Sequence, residues 1–157
     1  MKPTLLAGAI GILLVGSASA TFAQHKAPLT QPNSEAAAMV PDGELALGTV
    51  KVPKGVKADG KELPAGLYKV RLTAQQAESK ATGATAAYER YVEFVQGTVV
   101  KGREVVSIVP SADVSKVAKD KAPAPGTTRV QKLKGDDYVR VWINRGGNHY
   151  LIHLTAG

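Results

Sequence analysis

The sequence predicts an all-β fold: a single antiparallel β-sandwich, with a small β-barrel as the alternative, after a signal peptide and a flexible leader. Three observations lead there. Beyond Glu44 the apolar residues recur with period two, the signature of half-buried strands. Turn dipeptides such as Asp59-Gly60, Gly135-Asp136 and Gly146-Gly147 punctuate the apolar runs. The result is about seven short strands, the pattern of sandwiches and small barrels.

The first segment is not part of that fold. Lys2 supplies a positive start, Leu5 to Val15 an uncharged apolar run, and Ser17-Ala18-Ser19-Ala20 the small residues that signal peptidase accepts. The apolar run is short of the roughly 20 residues a membrane crossing takes, so cleavage is expected between Ala20 and His25. Residues 1–23 are read as the signal peptide. Residues 24–44 are a disordered leader, since Pro28, Pro32 and Pro41 break up a polar, aperiodic stretch. Residues 45–157 form the β-domain, long enough at roughly 110 residues to bury one core. The mature form carries no transmembrane segment, and the expected location is periplasmic or extracellular.

Within the domain, Leu45 and Leu47, with Thr49, begin the first strand. Asp59-Gly60 makes a hairpin turn, and Leu63-Pro64-Ala65-Gly66 a corner in which Gly66 supplies positive φ. Tyr68, Val70 and Leu72 then face one way, and Lys69, Arg71 and Thr73 the other. Ala74 to Ala87 reads as a loop. Tyr88 to Val100 is a strand with Val92 and Phe94 inward and a bulge at Gly97, and Lys101-Gly102 turns it into Arg103–Val109. Pro110 to Gly126 is a loop in which Ser111 caps a short helix that points Val114 and Val117 at the core. The last three strands, Thr128–Lys134, Tyr138–Asn144 and His149–Thr155, form a meander with Val139, Val141, Ile143, Tyr150, Ile152 and Leu154 inside.

The run Asp59-Gly60-Lys61-Glu62-Leu63-Pro64-Ala65-Gly66-Leu67-Tyr68-Lys69-Val70 resembles a segment common in small bacterial secreted proteins of unknown function. The resemblance covers about a dozen residues. It implies a bacterial exported β-domain and brings no catalytic residue with it.

Composition narrows the chemistry. There is no cysteine, which excludes disulfides, thiolate zinc sites and a lipoprotein anchor. The net charge of +7, or +6 once Lys2 leaves with the signal, favours anionic partners, although the lysines are scattered rather than blocked. His149 and His153 share a strand face but lie roughly 13 Å apart by strand rise, too far to clasp one ion. His25 would head a copper site if cleavage followed Gln24, a poor peptidase site, and cleavage after Ala23 would leave it second with a weaker ligand set, so no metal and no cofactor is expected. No Gly-x-Ser-x-Gly elbow surrounds Ser107 or Ser111. The pairs Glu89/Glu93 and Asp136/Asp137 are accounted for by solvated charge and turn propensity, and Gly146-Gly147 opens no helix that could cradle phosphate.

One constellation favours binding. Period two puts Tyr138, Arg140, Trp142 and Asn144 on one outward face, flanked by His149, Leu151 and His153. Aromatic rings that stack and a guanidinium that grips anions suit an anionic glycan, provided that the face is open. The expectation is an exported, non-enzymatic binding or structural module of the periplasm or cell surface. Its partner would be an anionic polysaccharide or another cell-envelope component, with no nucleic acid. The competing class is an exported enzyme or copper-binding protein that carries no recognisable motif.

Overall fold

Each strand buries one of its two side-chain rows, and the buried rows converge on a single core. The computed structural model describes residues 40–77 and 88–157. The signal peptide, His25, most of the leader and the greater part of the Ala74–Ala87 loop lie outside the described residues. Among the described residues nine strands and one short helix follow in order: β1 (Leu45–Val52), β2 (Val56–Ala58), β3 (Lys61–Leu63), β4 (Gly66–Gln76), β5 (Glu89–Gln96), β6 (Val99–Pro110), α1 (Val114–Val117), β7 (Thr128–Lys132), β8 (Tyr138–Arg145) and β9 (Asn148–Ala156).

All strand pairs are antiparallel. The sheet runs β1-β4-β5-β6-β9 and continues from β9 through β8 to β7. β1 comes back against β7 and β8, so the sheet nearly closes into a barrel. The all-β antiparallel fold expected from the sequence is the one the chain adopts. The β2–β3 hairpin pairs with the end of β9 and lies over β6. Tyr68, Val70, Leu72, Val92, Phe94, Val106, Val141, Tyr150, Ile152 and Leu154 fill the interior at 1% exposure or less. Tyr68 meets Phe94 edge to face at 6.1 Å, and its hydroxyl donates to the Pro64 carbonyl at 2.7 Å, tying the Pro64 corner to the core.

Several local features differ from the sequence expectation, each for a physical reason. Gly48, at φ +127°, sits at a register shift in β1. The bulge changes the phase of the strand, so Val50 and Val52 are buried and Thr49 faces out. Gly66 does not take positive φ and simply opens β4. The β5–β6 reversal falls at Gly97-Thr98, with Gly97 at φ +61°, and not at Lys101-Gly102. Gly102 answers a different need. A Cβ there would lie 2.9 Å from Leu63 Cδ1 and 3.2 Å from Ala58 Cβ, so the bare backbone is what lets the β2–β3 hairpin seat. β4 extends through Gln76, into the stretch expected to be loop. Asp113, not Ser111, stands at the N-cap position of α1 and makes no side-chain cap. Ser111 instead donates to Gly147 O at 2.9 Å.

The end of the leader is fastened to the domain. Arg90 is 4% exposed, and its guanidinium donates to the carbonyls of Thr73, Pro41 and Gly43. Val40 and Leu45 pack against the core beside it.

Candidate functional site

The outward row of β8 is where the sequence places a binding face. Cross-strand pairing sets Arg140 between Gln131 of β7 and His153 of β9, and Trp142 between Arg129 and Leu151. Asn144 pairs with His149 and Tyr138 with Thr155. The structure therefore brings the predicted residues together, with Tyr138 half-buried at the end of the row. It does not leave them open. Trp142 is 0% exposed, Arg140 7% and Asn144 8%.

What covers them is the 111–127 segment, which crosses the outer face of β7-β8-β9 as a strap. Trp142, Leu151 and Val109 form a second apolar cluster with Ala118 of the strap, and Val114, Val117 and Ala122 pack against it. The strap is also tied by polar bonds: Asn144 Nδ2 donates to Pro123 O at 2.9 Å, Arg129 to Lys121 O at 2.8 Å, and Gln131 to Asp120 at 2.8 Å. Asp120 also sits 3.5 Å from Arg140 Nη1. Trp142 and Asn144 thus bind the protein's own chain. A period-two pattern identifies an outward face but cannot tell whether a distant loop lies on it.

The two histidines of β9 are held separately. His149 Nδ1 accepts from Trp142 Nε1 at 2.9 Å, and His153 Nε2 accepts from Arg140 Nε at 3.2 Å. Burial lowers the pKa of both; for His153 the adjacent Arg140 charge adds to burial, and the value falls to about 4. Burial likewise lowers that of Arg140, with Asp120 opposing. Each imidazole is a neutral acceptor in a structural bond. Among the described residues no group of three or more His, Asp or Glu side chains converges to hold a metal. Of the carboxylates, Glu93 pairs with Arg71 at 2.5 Å and Asp136 with Lys132 at 3.5 Å, whereas Glu89, expected to be solvated, is buried at 8% exposure.

The open surface lies elsewhere on the barrel. Along β1-β4-β5-β6 a cross-strand row runs Thr49–Lys69–Val95–Val100. With Ala46, Gly48, Val70, Arg71 and Thr98, these residues line a cleft of about 430 Å³. Gly48 contributes no side chain to its lining. The next row is Ala46–Arg71–Glu93–Arg103. Arg71 pairs with Glu93, which raises its pKa, and lies 3.7 Å from Glu44. Arg103 stacks 3.8 Å from the Tyr91 ring centroid and donates to Gln75. Lys69 has no anionic partner among the described residues. The sequence did carry a signal for this site: once Val92 and Phe94 point inward, Val95 must point outward, an apolar residue on a row that should be polar.

Comparison with protein-family models, curated proteins and solved structures yields no match to this chain. Among the described residues no helix is long and apolar enough to cross a membrane.

Proposed function

We propose that the chain is an exported, non-enzymatic binding module of the periplasm or cell surface that holds an anionic component of the cell envelope. The observation that carries this reading is the open cleft beside Gly48, where the unpaired Lys69 stands between Thr49 and Val95 in an aliphatic lining. A cation backed by apolar surface attracts an anionic group and gives its less polar neighbour a place to pack. The surplus of basic residues points to the same class of partner. Arg140, Trp142 and Asn144 of the β8 face are assigned to holding the strap.

The test uses protein recovered from its host, with intact mass fixing the N-terminus between Ala20 and His25. Retention is then measured on a sulfated polysaccharide and on phosphatidylglycerol-containing vesicles, against neutral counterparts of each. Binding to at least one anionic probe, salt-sensitive and weakened by Lys69→Glu, is the expected result. Retention no greater than on the neutral counterparts of both probes overturns the reading, as does a full-length product that keeps Met1.

A further inference from the structure

We infer that the Gly97-Thr98 end of the β4-β5-β6 face docks on an anionic phospholipid surface; this rests on the binding-module reading above and names its partner. Leu67, Val99 and Val100 are 63%, 53% and 45% exposed, the three most exposed large aliphatic side chains among the described residues. Leu67 and Val100 lie on the outward rows of β4 and β6, and Val99 is next along β6 on the opposite face at the hairpin's end. Val99 pairs with Gln96 across the Gly97-Thr98 turn, Val100 pairs with Val95, and Val95 pairs with Lys69, two residues along β4 from Leu67. Lys51 stands directly across from Leu67, and Lys101 is the extra residue of the bulge beside Val100.

The distribution of charge singles out this end. One row inland, Arg71 is neutralised by Glu93 and Arg103 is occupied by Tyr91 and Gln75. At the turn end, Lys51, Lys69 and Lys101 make no ion pair with any described residue, and no carboxylate lies in the Thr49–Lys69–Val95–Val100 row. Aliphatic side chains at the end of a hairpin, surrounded by unpaired lysines, match the interfacial zone of a bilayer. The aliphatics enter the headgroup–acyl boundary, while the lysine stems lie along it and their ammonium groups meet phosphates. A glycan would call for aromatic platforms and amide or carboxylate hydrogen-bonding groups. This end offers the hydroxyls of Thr49 and Thr98 and the amide of Gln96, but no ring and no carboxylate.

Sedimentation with phosphatidylcholine vesicles, with and without phosphatidylglycerol, tests the inference on the processed chain. Binding is expected only when phosphatidylglycerol is present. It should fall about tenfold in Lys69→Glu, and by at least that much in Leu67→Ser combined with Val99→Ser, at an unchanged thermal midpoint. Val100→Ser alone provides a second variant if the double substitution misfolds. Retention on sulfated polysaccharide without vesicle binding overturns the lipid inference and leaves the binding-module reading standing. So does vesicle binding that ignores the serine substitutions. A concentration-dependent dimer broken by Leu67→Ser, with no vesicle binding, assigns the patch to a second copy of the chain and also overturns the inference. Failure on every anionic probe overturns both.

Discussion

The indole Nε1 of Trp142 donates to Nδ1 of His149 across 2.9 Å, in a compartment closed on one side by the sheet and on the other by the 111–127 strap. Their rings meet at 67° with centroids 5.8 Å apart. The bond explains why a large polar-tipped ring can be fully buried outside the main core: its single donor is satisfied there.

Trp142, the only tryptophan, should therefore emit at short wavelength and resist acrylamide quenching. Trp142→Ala should cost about 3–5 kcal/mol, because it empties the second cluster and leaves His149 without its donor. Denaturant unfolding measures this. Emission at the wavelength of free indole in water would mean that the strap does not cover the ring.

How far the sequence reveals the molecule depends on the range of the interaction concerned. Period two and turn chemistry are local, and they identify the strands, the Asp59-Gly60 hairpin and the inward residues of β4, β5, β8 and β9. The misread glycines show where local reading stops. Gly97 and Gly102 look alike in sequence, yet Gly97 makes a turn and Gly102 makes room for Leu63, a residue 39 positions earlier. The binding face on β8 failed for the same reason, since a segment some 20 residues upstream lies over it. The cleft depends on the register of four strands, and Gly48 shifts that register through a bulge.

Gly102→Val should destabilise the domain by about 1–3 kcal/mol, the usual range for overpacking. Leu63 can swing away from a new Cβ, but Ala58 Cβ, at 3.2 Å, cannot. Hydrogen exchange should locate the loosening in the β2–β3 hairpin and the end of β9. Wild-type stability in the variant would mean that the hairpin does not seat on β6.

Arg90→Lys should be nearly as damaging as Arg90→Met. The guanidinium fork reaches the Thr73, Pro41 and Gly43 carbonyls together, and a single ammonium group cannot match that geometry. Both variants should lose about 2 kcal/mol or more, since the buried Thr73 carbonyl and the half-buried Pro41 carbonyl lose a charged donor. Both should also become sensitive to proteolysis near Pro41. A lysine variant as stable as wild type would show that the charge matters and the fork does not.

Acid should weaken the domain through His153. In the folded chain its pKa is about 4, held down by burial and then by Arg140, against an ordinary value of 6.5. Between those values the unfolded chain binds the extra proton. The contribution of His153 is therefore fully present above about 6.5, is lost as pH falls toward 4, and is constant below that. At most it amounts to about 3 kcal/mol, and His149, whose pKa burial also lowers, adds a change of the same sign. Protonated His153 can no longer accept from Arg140 Nε, and it places a second cation beside a guanidinium whose counter-ion, Asp120, belongs to the strap. Glu104 acts in the opposite direction, because burial raises its carboxyl pKa and the folded state then gains stability as pH falls. The decisive quantity is thus the difference between wild type and His153→Gln. Wild type should lose more stability than the variant between about pH 7 and pH 4, with Trp142 emission shifting red as the strap loosens. Parallel stability curves for the two proteins would mean that His153 titrates at its ordinary value and does not hold the strap through Arg140.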